Sequence, residues 1–124
     1  MTQRLFEITK AAGFDAAHRL PGGGAAGSAY TRLHGHSFRV EATLRGAASE
    51  PVGWVEDLAA LDTALKAAAA ELDHSLLNDH PGLESPTLET LCVWFAQKLG
   101  LQFTGLCKIV VSRPTAGESC ALRL

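Results

Sequence analysis

The sequence has few cysteines, and their positions exclude two common kinds of site. Cys92, Cys107 and Cys120 are the only three in 124 residues, and no two of them form a C-x-x-C pair. An odd number in this spacing argues against a disulfide framework and against a cysteine-based zinc site. It is typical of a reducing compartment, and we expect a cytoplasmic protein.

An excess of positive charge and long apolar runs are also missing. The net charge is -2 with the histidines counted as neutral, and the 11 lysines and arginines are scattered along the chain. We therefore expect no nucleic-acid partner and no charged membrane contact. No apolar run approaches the roughly 20 residues of a transmembrane helix, and the N-terminus lacks the apolar segment of a signal peptide. We expect no membrane partner.

The composition that is present describes a small globular protein. Hydrophobic residues make up 47% of the sequence and charged residues 19%. We interpret residues 1–124 as a single domain, because two domains would each be too short to bury a core. A domain this small has a limited core, and association with further subunits is one way to supplement it.

Two strands are predicted in the first part of the chain. Residues 5–20 alternate loosely, and Gly13 indicates a bulge or a close packing contact within this strand. Residues 21–29 form a predicted flexible loop. Residues 37–45 alternate strictly, which predicts one buried face and one wet face. The expected buried face is Phe38, Val40, Ala42 and Leu44, and the expected wet face is Arg39, Glu41, Thr43 and Arg45.

Two helices follow, each with an apolar stripe at helical spacing. Asp57 is a suitable N-cap for the first helix, whose stripe is Leu58, Leu61, Leu65, Ala68 and Leu72. The second helix is predicted to begin near Pro86-Thr87 and to end near Gly100. Its stripe is Leu88, Leu91, Cys92, Phe95 and Leu99.

Two short strands complete the predicted order β-β-α-α-β-β. They cover residues 108–111 and 120–122, and a Pro-Thr-Ala-Gly turn joins them. Paired strands with both helices between them predict an α+β fold, a four-stranded antiparallel sheet with both helices on one face. The other face of the sheet must meet water or another subunit.

Three histidines form a candidate metal site. His34 and His36 begin a predicted strand with one residue between them, so both side chains lie on the same face. His18 lies near the end of the preceding strand, across the predicted hairpin. Three histidines without a fourth protein ligand are typical of catalytic zinc, which keeps a position open for water or substrate. The alternative is a surface pair of histidines beside a third that is satisfied within the core.

Asp73 and His74 are a second candidate pair. A carboxylate beside an imidazole can hold one tautomer and yield a general acid or base that works near neutral pH. The alternative is a histidine at a helix C-terminus, stabilised by the helix dipole. A G-x-G-x-x-G pattern at residues 22–27 is a weak match to a dinucleotide-binding loop, because a strand and not a helix follows it.

Five segments in order resemble a known family. They are F-D-A-A-H-R-L-P (14–21), R-L-H-G-H-S-F (32–38), G-W-V-E-D (53–57), L-D-H-S-L-L-N (72–78) and P-G-L-E-S-P-T-L-E (81–89). Together they resemble the 6-pyruvoyl-tetrahydropterin synthase family, and most of all its bacterial branch, the 6-carboxytetrahydropterin synthases. The resemblance extends from Phe6 to about Val111.

This resemblance implies the T-fold (tunnelling fold), an α+β unit that assembles through its sheets into a barrel, usually as a homohexamer with active sites between subunits. It implies Zn²⁺ bound by His18, His34 and His36, and the substrate 7,8-dihydroneopterin triphosphate. The bacterial branch cleaves the substrate side chain to give 6-carboxytetrahydropterin, acetaldehyde and triphosphate on the route to queuosine. The other branch eliminates triphosphate and rearranges the side chain to a pyruvoyl group.

The resemblance also implies roles for individual residues. Asp73 and His74 match the family's proton-transfer pair, whereas Thr87 and Glu89 match the helix start that lines the pterin pocket. Zinc in this family would hold the oxygens of the substrate side chain and stabilise negative charge that develops on them.

The chain departs from the family pattern at two places. Tyr30 stands where the family carries its catalytic cysteine, and a phenol with a reference pKa of about 10 is a poorer base than a thiol of about 8.5. Ser112-Arg113-Pro114 stands where the family carries a glutamate that grips the pterin N–H groups. Glu118 is the candidate replacement, because a carboxylate accepts from two donors at once; the alternative is a solvated turn residue.

Three functions therefore stay open at this point. The first is a working 6-carboxytetrahydropterin synthase or a paralogue acting on a related pterin, with Tyr30 or water relaying protons. The second is a pterin lyase of different outcome, such as an aldolase that cleaves dihydroneopterin. The third is a zinc-loaded pterin-binding protein without catalysis.

Overall fold

The computed structural model describes residues 3–22 and 28–124 and confirms the predicted order of elements. The strands are β1 (Phe6–His18), β2 (His34–Gly46), β3 (Leu106–Arg113) and β4 (Glu118–Arg123), and the helices are α1 (Leu58–Leu72) and α2 (Leu88–Gly100). The strands pair antiparallel in the order β1-β2-β3-β4. Residues 23–27, which include most of the predicted loop and of the G-x-G-x-x-G pattern, lie outside the described residues.

The β1–β2 hairpin is longer and more regular than the sequence predicts. Its pairing runs without interruption from Phe6 opposite Gly46 to His18 opposite His34. The bulge predicted at Gly13 is therefore wrong, and the register instead shifts between Thr43 and Leu44, where β2 pairs with β3. The alternative, a close packing contact at Gly13, is not found either. A Cβ at this position would make only an ordinary contact with the Phe38 carbonyl oxygen.

The predicted buried face of β2 is confirmed, but its opposite face is not uniformly wet. Phe38, Val40, Ala42 and Leu44 are all buried. Thr43, on the other face, is also buried, and its hydroxyl shares a 2.8 Å hydrogen bond with the hydroxyl of Thr9 on β1. The cross-strand partner satisfies the buried hydroxyl, which removes the cost of taking it out of water.

Both helices begin where a side chain caps them. The Asp57 carboxylate accepts from the Ala59 N–H at the start of α1, and the Thr87 hydroxyl accepts from the Thr90 N–H at the start of α2. These acceptors satisfy backbone donors that have no partner inside the helix. Helix α2 ends at Gly100 as predicted, although the residue that follows, Leu101, stays in the right-handed helical region.

The helices cover one face of the sheet and build a continuous core with it. Their buried positions are Leu61, Leu65, Ala68, Ala69 and Leu72 in α1, and Leu88, Leu91, Cys92, Phe95 and Leu99 in α2. Leu58, predicted to be buried, is 41% exposed and lines an open cavity beside the start of β1. All three cysteines are free. Cys92 is a core residue, and burial is the main cause that raises the pKa of its thiol to about 11.

The last two strands form a hairpin through the predicted Pro-Thr-Ala-Gly turn. Residues Pro114–Ala116 make one 3₁₀ turn, and Gly117 follows with a φ of 68°, which a side chain would disfavour. This turn places Arg113 opposite Glu118. In the described part of the chain, neither helix has the length and apolarity needed to cross a bilayer.

Candidate metal centre and active site

The β1–β2 hairpin brings the three predicted histidines together. His18 is the last residue of β1 and pairs with His34, the first residue of β2, while His36 lies two residues further along the same face. One ligand nitrogen from each histidine lies within 4.8 Å of the other two. His18 is fully buried and the other two are half-buried, so the cluster stands at the margin of the core.

Backbone carbonyls orient two of these rings. His18 Nδ1 lies 3.1 Å from the carbonyl oxygen of Pro86, and His34 Nδ1 lies 2.7 Å from that of Arg32. A carbonyl only accepts, so each Nδ1 must carry the proton and donate it. Each Nε2 then presents a lone pair, and the two Nε2 atoms lie 3.0 Å apart. Two lone pairs at that distance repel unless a cation or proton lies between them.

The donor set fits a metal ion. His36 Nε2 is buried and has no hydrogen-bond partner among the described residues. Two nitrogens bound about 2.05 Å from a tetrahedral zinc are roughly 3.3 Å apart, close to the observed separation. Burial, followed by the neighbouring charges, lowers the pKa of His18 to about 4, so its ring stays neutral at pH 7 and is ready to bind a metal.

The candidate pair Asp73–His74 is assembled directly beside this cluster. Asp73 is the C-cap of α1, and its Oδ2 lies 2.8 Å from His74 Nδ1. Both peptide groups of Asp15 on β1 hold the pair: the Asp15 N–H donates to Asp73 Oδ1 and the His74 N–H donates to the Asp15 carbonyl. His74 has a φ of 56°, an uncommon left-handed conformation for a residue with a side chain.

The protonation of this pair follows from its contacts. The Asp15 N–H and then the His74 side chain hold the pKa of Asp73 below its usual value. The hydrogen bond and the charge of Asp73 raise the pKa of His74. The imidazole therefore accepts a proton more readily than a free histidine, and its Nε2 is the nitrogen left to exchange protons with a ligand.

An open groove of about 590 Å³ connects the two groups. The residues on its walls are Asp15, Ala16, Ala17, Gly35, His36, Ser37, His74 and Ser75. It thus runs from a candidate metal ligand to the candidate proton-transfer histidine. A molecule in this groove would contact both, which is the arrangement that proton transfer next to a Lewis acid requires.

None of the remaining predicted residues is on the walls of this groove. Thr87 caps α2 immediately after Pro86, whose carbonyl holds His18. Glu89 is exposed in the first turn of α2. Glu118 contacts Arg113 at the end of β3. Tyr30 is 48% exposed, and its hydroxyl makes no hydrogen bond within residues 3–22 and 28–124.

Sequence reasoning missed three residues that organise the site. Asp15 holds the Asp73–His74 pair, and its carboxylate also accepts a hydrogen bond from Ser37. Asn78 bonds both backbone groups of Arg19, which fixes the segment after His18. Arg113 is buried near His36. Only Arg113 gives a signal in the sequence, as a charged residue in phase with the buried positions Ile109 and Val111.

We predict that Asp73→Asn lowers the pKa of His74. The amide keeps the Oδ1 acceptor for the Asp15 N–H but removes the negative charge that stabilises the imidazolium. An NMR titration of the His74 ring measures the change, with Asp79→Asn as a control that removes a nearby carboxylate outside this contact. A midpoint that does not move in Asp73→Asn would show that the carboxylate does not control the ring.

Known proteins match both the sequence and the fold. A family model described as 6-pyruvoyl tetrahydropterin synthase matches residues 7–123. The 6-carboxy-5,6,7,8-tetrahydropterin synthase of Synechocystis sp. is 41% identical over 101 residues, which cover 77% of this chain and 75% of that protein.

Solved structures extend the likeness to the whole chain. The 6-pyruvoyl tetrahydropterin synthase of Caenorhabditis elegans superposes with a TM-score of 0.85 at 22% identity and covers 100% of this chain and 99% of that one. The 6-pyruvoyltetrahydropterin synthase of Plasmodium vivax superposes with a TM-score of 0.75 at 16% identity and covers 98% and 99%. At these identities the structures show the fold, and the predicted T-fold is confirmed. The match over residues 7–123 shows that the chain belongs to the 6-pyruvoyl tetrahydropterin synthase family.

Proposed function

We propose that the protein is a zinc-dependent lyase of the 6-carboxytetrahydropterin synthase type, acting on 7,8-dihydroneopterin triphosphate. The observation that carries the proposal is the three-histidine cluster joined by one groove to the Asp73–His74 pair. The identity with the Synechocystis sp. enzyme supports this reaction over the pyruvoyl-forming one. A place in queuosine biosynthesis belongs to the same proposal.

Zn²⁺ is the proposed cofactor, with His18, His34 and His36 as its ligands. Bound there, it would supply a Lewis acid for the side-chain oxygens of the pterin. The carbonyls of Pro86 and Arg32 support this assignment, because they hold two rings in the tautomer that a metal needs. Because Nδ1 carries the proton in His18 and His34, the Nε2 atom of each of these two rings can bind the ion.

The Asp73–His74 pair is the proposed proton-transfer group. Asp73 holds the proton of His74 on Nδ1, which leaves His74 Nε2 free on the side of the groove. As a neutral ring, His74 can take a proton from the substrate side chain, and as an imidazolium it can return one. Its raised pKa brings both forms within reach near neutral pH.

The proposed contacts to the pterin ring are Thr87, Glu89 and Glu118. The proposed proton relay, at the position where the family has a cysteine, is Tyr30. Thr87 is adjacent to the Pro86 carbonyl that holds His18, which supports its position at the site. Glu118 is half-exposed and able to accept from ring N–H groups, although Arg113 competes for the same carboxylate. Tyr30 lies in a turn, and its backbone carbonyl accepts a hydrogen bond from the N–H of Leu20, two residues after His18.

A homohexamer in the cytoplasm, with sites between subunits, completes the proposal. β1 and β4 are the edge strands of the sheet, which leaves backbone groups free to pair with a neighbouring copy. Phe6, Trp54 and Leu58 are more than 40% exposed and line an apolar cavity of about 410 Å³. Apolar surface of this kind is typical of contacts between subunits. Three free cysteines support a reducing compartment.

We expect His34→Ala to lose zinc. The purified wild type should carry about one zinc per chain, because three imidazoles are the usual number of protein ligands in a catalytic zinc site. Metal analysis after gel filtration measures the content, and His80→Gln is the matched control, since His80 bonds Ser75 and lies outside the cluster. Zinc retained by His34→Ala at the wild-type level would contradict the three-histidine site.

The reaction is tested by separating the products formed from 7,8-dihydroneopterin triphosphate. We expect 6-carboxytetrahydropterin, acetaldehyde and triphosphate, detected by chromatography of the pterins and an enzymatic assay for acetaldehyde. His34→Ala serves as the inactive control. A 6-hydroxymethyl pterin would assign the chain to the aldolase alternative. Tight pterin binding without turnover would assign it to the non-catalytic alternative.

Tyr30→Phe tests the proposed relay. If the phenol hydroxyl carries a proton in the reaction, its removal should lower kcat by about 100-fold or more, the usual contribution of a general acid or base. The zinc content and KM should change little, because the ring remains. An unchanged kcat would place proton transfer entirely on Asp73 and His74.

A further inference from the structure

Arg113 is a buried cation with hydrogen-bonding capacity that the described residues do not use. It is the last residue of β3 and only 7% exposed. Its Nε and Nη1 atoms are buried and have no hydrogen-bond partner among the described residues. Nε lies 3.1 Å from Glu118 Oε1, so the charges are close, but the contact lacks the alignment of a hydrogen bond. A buried donor left in this state is costly unless a ligand completes it.

The position of Arg113 follows from the alternation of β3. Ile109 and Val111 are fully buried, and Arg113 takes the next position on the same face. Arg113 is the last residue of the strand, because the chain turns at Pro114. The side chain is therefore held by the sheet and enclosed, in contrast with the mobile arginines of an ordinary surface.

A cavity of about 380 Å³ has Arg113 on its wall. Its walls are formed by Gly35, His36, Ser37, Arg113, Thr115 and Ala116. His36 thus borders both this cavity and the groove that leads to His74.

We propose that this cavity is an oxyanion subsite in which Arg113 donates hydrogen bonds to a carboxylate or phosphate group of the ligand. A guanidinium is a planar fork of N–H donors that matches the oxygens of either group in pairs. Thr115 also lines the cavity, and a threonine hydroxyl is able to donate a hydrogen bond. The subsite concerns binding alone and does not rest on the proposed reaction.

Glu118 determines how strongly the subsite attracts an oxyanion. It is the one acidic residue in contact with Arg113 among the described residues, and it partly neutralises the guanidinium. An incoming oxyanion must compete with this carboxylate for the same cation. Removal of the Glu118 charge should therefore strengthen oxyanion binding, and removal of the Arg113 charge should weaken it. These opposite signs distinguish the subsite from a purely structural ion pair.

Titration calorimetry on the purified metal-containing protein tests the subsite with two probes, sodium triphosphate and pyruvate. We expect Arg113→Gln to weaken the binding of at least one probe by about tenfold or more, the usual effect of losing a charged hydrogen bond. The probe that responds identifies phosphate or carboxylate as the group recognised. Arg39→Gln is the matched control, because Arg39 is exposed on the neighbouring strand and pairs with Glu41.

Glu118→Gln supplies a second measurement in case Arg113→Gln does not fold. It should bind the responding probe severalfold more tightly than the wild type does. Failure of both probes to bind the wild type, as expected if a neighbouring copy covers the guanidinium, would overturn the proposal. Equal binding by wild type and a folded Arg113→Gln would also overturn it, because the metal alone would then hold the anion. So would weaker or unchanged binding by Glu118→Gln.

Discussion

The register of the β1–β2 hairpin is the constraint on which the rest of the site depends. His18 faces its ring toward His34 because the two residues are paired, and His36 joins them because it lies one pleat further along β2. A slip of one residue would turn every side chain of one strand to the opposite face. The uninterrupted pairing from Phe6 to His18 prevents such a slip, since it would expose Phe38, Val40 and Leu44 together.

The outer edge of β1 then ties the Asp73–His74 pair to the histidine cluster. Asp15 bonds Asp73 and His74, and two residues later the Ala17 N–H donates to the Ser75 carbonyl. These bonds occupy the edge of the sheet at the end that carries the histidines, and a single bridge between Ala17 and Leu76 extends the pairing beyond β1. The left-handed backbone of His74 is held by these contacts, because an isolated turn would relax from it.

The sequence predicts those features that depend on local periodicity, and it fails where distant contacts decide. The alternation in β2, the cap Asp57, the start of α2 near Thr87 and the position of His18 across the hairpin from His34 are confirmed, because each follows from period or spacing. The hydrogen bond from Asp15 to Asp73 spans 58 residues and leaves no local pattern. The partner of the buried Thr43 hydroxyl is Thr9 in another strand, and Leu58 lines a cavity with residues of β1 that are about 50 positions away.

The residues proposed to hold a metal and the residues proposed to recognise a ligand are built on different elements. The histidines depend on the β1–β2 hairpin, and their anchoring carbonyls belong to Arg32 and Pro86. The two departures from the family pattern, Tyr30 and Arg113, lie instead in the turn before β2 and at the end of β3. A side chain can change at either place without altering the register that assembles the cluster. The histidine cluster is thereby kept, while Arg113, a buried cation, and its partner Glu118 lie near the place of the family's acidic anchor. The contacts proposed for a ligand can therefore differ from those of the family while the cluster stays the same.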